Sequence, residues 1–371
     1  MDKHLHIISF DVPYPADYGG VIDVYHKIKA LHKLGVKVHL HCYTKGREQQ
    51  DQLKEMCYSV DYYHRKKSAF SFLVPYIVSS RNDKKLLENL NQDNYPVLME
   101  GIHCSMLLYK NKLDQRKSFL RMHNVEYKYY RQLSRNESSF IKKIFFRWQS
   151  GLLKSYENKI AKRSFHFALS KADADIYQNN FHAKQIAIVS AFVAWQEVES
   201  HQGSGMFCLY HGNLSVNENE NAAIWLIDEV FSKITLPLVI AGKQPSKRLE
   251  TKVHAQNNIC LVSNPSENEL QDLIRKAQIN VLPSMNNTGV KLKLLNALFT
   301  GRHCLINKQA VEGSGLESLC NIASDAESFQ AQVGDLFKKE YASDEINSRK
   351  LLLNEMYNNV ENAVKLIALI H

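Results

Sequence analysis

Short apolar runs alternate with helix-length amphipathic stretches along almost the whole chain, and they do so in two series. In the first, a strand at 6–10 leads through DVPYPADYGG into a helix at 21–34, closed by Gly35, and a strand at 36–43 follows. Further strands are predicted at 97–100, 118–123, 165–170 and 186–189, with one long helix or two over 139–163. The pattern loosens after Val189, through SAFVAWQEVESHQGSG. A second series has strands at 206–212, 236–242, 259–262 and 279–283, helices at 219–233, 246–255 and 266–277, and another helix from about 291. Strands alternating with helices at this spacing build parallel sheets from βαβ units. The expectation is an α/β chain of two Rossmann-like domains, 1–190 and 205–343, joined by a linker at 191–204. A helical segment, 344–371, is free to pack back on the first domain. Ligands of such sheets bind beyond the carboxyl ends of the strands, so a cleft between two facing domains is the expected binding place.

The length of 371 residues exceeds what one core ordinarily supports. Hydrophobic content of 44% and charged content of 23% are globular values. No run approaches 18 uninterrupted apolar residues, and MDKHLHIISF reads as a first strand instead of a secretion signal. The expected location is the cytoplasm, with the inner face of the plasma membrane as a variant. Seven scattered cysteines without a C-x-x-C argue against a disulfide framework and a cysteine zinc site. His4/His6 and His39/His41 form two H-x-H pairs on one face each, but no acid or cysteine joins them by spacing, so no metal is expected.

Charge is concentrated. Residues 120–163 hold eleven Lys and Arg against three Glu, a net +8 of the chain's +9. There Phe145, Phe146 and Trp148 interleave with Lys142, Lys143 and Arg147. One reading is a face for anionic lipid headgroups. The other is a core-packing helix with a solvated basic back, which the spacing of Ile141, Ile144, Phe145, Trp148 and Leu152 favours. No nucleic-acid fold signature accompanies the charge.

Two loops invite a ligand. Gly19-Gly20 precedes a helix, where free N–H groups and the dipole favour an anion; the plainer reading is a helix-entry turn. In 282-LPSMNNTGVKLKLLNAL-298 the helix start carries Lys291 and Lys293, where a cation costs roughly 0.3–1 kcal/mol against the macrodipole. A diphosphate at Gly289 would turn both lysines into attractive charges. Lys293, Asn296 and Thr300 then share one face, opposite the leucines. The alternative is a solvated helix end. No G-x-G-x-x-G follows the first strand and no Walker lysine pattern occurs, which disfavours nicotinamide dinucleotides and P-loop chemistry.

The order of these features resembles the GT-B glycosyltransferases, specifically the retaining family-4 group that uses nucleotide-sugar donors. The segments that carry the likeness are 13-PYPADYGGVIDVYHKIKALHKLGVKVHL-40, 121-RMHNVEYKYY-130, 155-SYENKIAKRSFHFALSKADADI-176, 210-YHGNLSVNENENAAIWL-226, 238-LVIAGKQP-245 and 289-GVKLKLLNALFTGRHCLIN-307. The resemblance implies a sugar moved from a nucleoside diphosphate of UDP or GDP type to a hydroxyl of a glycan or lipid-linked acceptor, with no cofactor and no metal. Gly19, Gly20, Gly212, Asn213, Thr288, Gly289, Lys291, Lys293 and Asn296 would face the donor. His123 would approach the transferred sugar or the attacking hydroxyl, and Glu100, His103 and Glu126 would lie on the acceptor side. Thr288 and Asn296 stand where the family usually has two glutamates. That departure keeps two other readings open: a non-catalytic protein that binds a nucleotide sugar or a partner transferase, and a sugar-nucleotide epimerase.

Overall fold

The computed structural model describes residues 2–66, 71–137, 139–286 and 289–371. The chain divides into two compact units, Met1–Ala194 with Tyr357–His371, and Trp195–Met356. The first holds a parallel sheet of β1 (His4–Ser9), β2 (Lys37–Thr44), β3 (Ser59–His64), β4 (Val97–Glu100), β5 (Ser118–Met122), β6 (Phe165–Ala168) and β7 (Ile186–Ile188). Its strand order is β3-β2-β1-β4-β5-β6-β7. The second holds β8 (Cys208–Asn213), β9 (Leu238–Lys243), β10 (Ile259–Ser263), β11 (Ile279–Val281), β12 (His303–Asn307) and β13 (Asn321–Ala323), ordered β10-β9-β8-β11-β12-β13 and also parallel. Each sheet reverses direction of growth at one point, β1/β4 in the first unit and β8/β11 in the second. These are the switch points where loops diverge and leave room for a ligand.

Central strands such as VLME of β4 are buried along their whole length, as parallel strands covered on both faces must be. The edge strand β3, SVDYYH, is mostly half-buried and polar, so no apolar run announces it. The expected helix at 219–233 is broken into α-helix Asn217–Trp225, a π-turn Leu226–Val230 and a 3₁₀ turn Phe231–Lys233. The C-terminal stretch forms two helices, Ser343–Tyr357 and Asn359–Ile370. The last places Ala363, Leu366, Ile367 and Ile370 in the first unit's core. Asn359 fixes it there, accepting from Val193 N at 3.0 Å and donating to Val193 O at 2.8 Å.

The helix Phe140–Ile160 corrects the core-packing expectation for its apolar positions. Its burial begins only at Gln149, whereas Phe140 and Ile141 are 74% and 79% exposed and Ile144 and Phe145 are exposed beside them. The two H-x-H pairs do meet, across β1 and β2. His4 Nδ1 lies 2.9 Å from His39 Nε2, and His6 Nδ1 2.9 Å from His41 Nε2. Asp93 takes the other nitrogen of His6 at 3.0 Å, and the Tyr63 hydroxyl lies 2.9 Å from His41 Nδ1. These ring nitrogens are spent on one another and on neighbours, so the ladder is a hydrogen-bonded core element. Burial lowers the pKa of His6, of His39 to about 4 and of His41 to about 3.

Burial also depresses His26 and His166 to about 4 and His211 to about 3. Below pH ~6.5 the unfolded chain gains protons that these rings refuse until pH ~4, so stability falls on acidification through that window. Two buried acids act in the opposite sense: burial raises Glu126 to about 8 and Glu157 to about 7. Above ~4.3 the unfolded chain loses their protons while the fold keeps them, which lowers stability as pH rises toward 8. The histidines outnumber the acids below 6.5. Urea midpoints measured from pH 4.5 to 8 are therefore expected to peak near pH 6.5, with the steeper loss on the acid side; a midpoint flat or rising toward pH 4.5 contradicts this account.

Candidate active site

At the first switch point, five ionisable side chains from two strands' ends and one helix close on one another. Asp23 and Lys27 lie one turn apart on the helix Gly19–Lys33, Glu100 ends β4, and Arg121 and His123 come from β5 and the residue after its end. Arg121 grips Asp23 through two nitrogens, at 2.9 and 2.8 Å. Lys27 Nζ donates to Asp23 Oδ2 at 3.0 Å and to Glu100 Oε1 at 2.6 Å. The other Glu100 oxygen lies 2.9 Å from His123 Nε2. Asp23 also accepts from Phe192 N at 2.8 Å, and Arg121 donates to the carbonyls of Val189 and Ser190. Against the desolvation that would raise them, Arg121 and Lys27 hold Asp23 well below the usual carboxylate range, and Lys27 and His123 lower Glu100.

The ionised Glu100 only accepts hydrogen bonds, so His123 presents Nε2–H to it, and in the neutral ring Nδ1 is left as the acceptor. Asp23, Glu100 and His123 bring donor atoms within 4.8 Å of one another, the spacing of a metal centre. Lys27 already places its ammonium against both carboxylates, so the position a cation would take is filled by the chain itself. Asp23, Lys27 and Arg121 were not among the residues the motifs pointed to. Glu100 was, but it has no exposed surface, and it serves His123 from behind.

Phe10 links this network to the glycine loop. A Cβ on Gly20 would come within 2.4 Å of the Phe10 ring tip, so the present placement of that ring relies on glycine here, and a close-approaching phosphate is not needed to explain it. Gly19 is exposed at the helix start, and no side chain caps that end. His103 and His123 each lie 5.4 Å from the Phe10 ring. His103 Nδ1 is buried without a partner, and burial, with Arg81 and His123 nearby, pushes its pKa well down. Glu126 opens the helix Glu126–Asn136 and is buried. Its backbone N–H and that of Tyr127 donate to Glu157, at 2.9 and 3.0 Å.

At the second switch point the helix Leu292–Thr300 starts with no side-chain cap, after Gly289 at φ +67°, a left-handed conformation that glycine adopts freely. Lys293 Nζ sits 4.9 Å above the Tyr210 ring, 3.4 Å from its hydroxyl and 3.2 Å from Asn219 Oδ1. Burial pushes its pKa down to about 8, with Glu218 opposing and Lys291 adding to the shift. Glu218 is engaged elsewhere, accepting from Ser284 Oγ at 3.0 Å. Lys291 occupies the N-cap position. Asn213, at the end of β8, turns its side chain onto Ser215 N and Oγ, and Gly212 faces the Asn219 side chain. Asn296 and Thr300 do not project to solvent with Lys293. Both are buried, and Thr300 Oγ1 donates to Asn296 Oδ1 at 3.3 Å, because nearly the whole helix is enclosed. Thr288 lies outside the described residues. Tyr210, Glu218 and Asn219 went unmarked in the motifs, although 217-NENEN-221 lies inside a quoted segment.

Residues 206–339 match the family model described as Glycosyl transferases group 1. An "Uncharacterized 44.6 kDa protein in cps region" of Klebsiella pneumoniae is 28% identical over 332 residues, 83% of this chain and 84% of that protein. Among solved structures, sucrose-phosphate synthase of Thermosynechococcus elongatus superposes with a TM-score of 0.72 at 12% identity, covering 99% of this chain and 98% of that one. HepE of Anabaena, solved in complex with UDP and glucose, gives 0.66 at 9% identity over 98% of each chain. The fold is GT-B.

Removing one partner of a buried ion pair leaves an uncompensated charge and costs about 3–5 kcal/mol. Lys27→Met, which strands Asp23 and Glu100 together, is expected to lose that much in urea unfolding, whereas Lys171→Met, at an exposed pair with Asp175, changes stability by less than about 1 kcal/mol. Equal, small losses would mean that the network is hydrated and not a sealed unit.

Proposed function

From a GT-B fold whose second unit carries the glycosyl transferases group 1 match, we propose that this protein is a glycosyltransferase that moves a sugar from a nucleoside diphosphate to a hydroxyl of a glycan or lipid-linked acceptor. The carrying observation is Lys293, a desolvated ammonium beside an uncapped helix N-terminus at the second switch point. Departure of a nucleoside diphosphate builds negative charge, and a fixed cation with oriented N–H groups stabilises it without reorganisation. Gly289, Lys291 and Lys293, with Gly212 and Asn213 across from them, form the donor site in this reading. In the first unit His123 meets the acceptor hydroxyl through Nδ1, with Glu100 as the residue that positions it. The acceptor oxygen bonds to the sugar carbon as its bond to the diphosphate breaks, and the hydroxyl proton passes to the departing phosphate oxygen. Transfer with retention is the outcome of such same-face attack. The relative from a cps region favours a surface polysaccharide as product.

A second reading has an observation of its own: Asn296, standing for a family glutamate, is buried and bonded to Thr300. Binding of a nucleotide sugar without turnover would follow if that glutamate were indispensable. Donor consumption with and without acceptors separates the two.

Titration with UDP, GDP, ADP and TDP is expected to show micromolar binding of one nucleotide, weakened at least tenfold (about 1.4 kcal/mol) in Lys293→Ala. Since the Lys293 amine loses its proton near pH 8 in the free protein, affinity is expected to fall between pH 7 and 9, with proton uptake on binding near pH 8. Absence of binding by folded protein would refute the donor site. With a donor found, His123→Ala, which removes the group that positions the hydroxyl, is expected to slow transfer by roughly 10²-fold.

The exposed start of the helix Phe140–Ile160 is, in the same proposal, a seat on anionic membrane. Phe140, Ile141 and Ile144 stand beside exposed Lys142, Lys143 and Arg147, with no acid in the first turn. Phe72 and Leu73 are 75% and 82% exposed, and the Phe72 ring lies 6.1 Å from Trp148 on that helix. Each basic residue contributes about 1 kcal/mol at such a surface. Sedimentation with vesicles of phosphatidylglycerol is therefore expected to drop roughly a hundredfold in affinity when Lys142, Lys143 and Arg147 are changed to Gln. Equal partition onto neutral and anionic vesicles would overturn the membrane assignment.

A further inference from the structure

Beside the charge network the first unit carries two more cations that it does not balance. Arg81 donates from Nε to Phe10 O at 3.0 Å and from Nη1 to Ile77 O at 2.7 Å, so its guanidinium is fixed against the residue that packs on His103 and His123. Arg65 follows β3, and its Nε is buried with no partner. Among the described residues neither arginine has a carboxylate oxygen within 4.0 Å, unlike Arg47, Arg116 and Arg121 of the same unit. Burial and the charge of Arg65 lower Arg81 to about 10, and both arginines act on His103.

Asp11 and Glu126 act on Arg81 through space, but neither forms an ion pair with it or with Arg65. Asp11 accepts from Tyr18 OH at 2.8 Å and faces Arg47. Burial and Glu157 raise Glu126 to about 8 against the pull of Arg81, so its charged form is disfavoured there. Neighbouring guanidinium groups repel unless an oxyanion joins them, and carboxylate and phosphate are the groups whose geometry their N–H forks match. Arg65, His103, His123 and Tyr130 are only partly buried and Arg81 is 5% exposed behind them, so a ligand would reach the cluster from the Arg65 side.

We propose that the acceptor carries an oxyanion, a phosphate ester or a sugar carboxylate, which Arg65 and Arg81 hold so that a hydroxyl of the same molecule reaches His123. This rests on the reading of the first unit as the acceptor side, and it narrows that acceptor to an acidic one.

The test uses the full chain as Lys293→Ala, so that oxyanions do not load the second unit. Ligand-observed NMR compares methyl glucoside, methyl glucuronoside and glucose 6-phosphate. At least one anionic sugar is expected to bind tenfold or more tighter than the neutral one, with Arg65→Gln abolishing the preference and Arg65→Lys restoring part of it. A preference for the glucuronoside identifies a sugar carboxylate, and one for the phosphate identifies a phosphate ester. Equal binding of neutral and anionic sugars, or a preference that survives Arg65→Gln in folded protein, overturns the proposal. UDP titration of Arg65→Gln on the otherwise native chain is the separate control. Unchanged affinity there keeps the donor site out of the result, and failure of UDP to bind the native chain sinks the donor reading without touching the oxyanion test.

Discussion

The bidentate grip of Arg121 on Asp23, extended by Lys27 to Glu100 and by Glu100 to His123, is the interaction on which the first unit's site depends. It joins the helix after β1 to the ends of β4 and β5 and reaches the chain at Val189–Phe192. Two buried carboxylates meet two fixed cations, so no charge is left unpaired. Buried ion pairs of this kind are weak sources of net stability, because desolvation offsets most of the attraction. What the arrangement supplies is orientation. Each link admits few geometries, and the last link is an imidazole with one nitrogen tied and the other left over.

The second unit repeats the topology with the opposite electrostatics. Lys293 also sits at a switch point, but its neighbours are an amide, a phenol and an aromatic face, with the one nearby carboxylate already holding Ser284. A hydrogen bond from an amide offsets only part of the cost of burying an ammonium, and the depressed pKa expresses the remainder. The network around Asp23 and Glu100 balances its charges internally, and Lys293 is left to be balanced by something else. In the proposed function, that asymmetry separates the imidazole that meets the acceptor hydroxyl from the cation that meets the diphosphate.

Much of this was legible in the residues, for identifiable reasons. Parallel strands buried on both faces leave apolar runs, so most strands announced themselves. The edge strand β3 and the three-residue β13 did not, since half-exposed or very short strands need no such run, and neither did β12, whose apolar run is only Cys304–Ile306 between His303 and Asn307. Lys293 stood out because a cation at a helix start contradicts the dipole. Asp23 and Lys27 at i, i+4 look in sequence like an ordinary surface pair, and only burial reveals their importance. Periodicity put Asn296 and Thr300 on the face of Lys293 and Ile141 and Ile144 on an apolar face. A face, however, is not an environment: the first proved enclosed and the second bare. What covers a helix depends on elements distant in sequence.

Phe10 shows how closely structural and functional demands are joined here. Its ring needs the missing Cβ of Gly20, its edge and face order both histidines, and its carbonyl fixes Arg81. A glycine that resembles a phosphate-binding residue is thereby accounted for by packing alone. Phe10 therefore touches His103, His123 and Arg81 at once. A side chain at position 20 would have to move the Phe10 ring, and with it the contacts that ring makes to His103 and His123. Glycine at this position therefore carries no information about phosphate by itself; the placement of Phe10 is the constraint it serves.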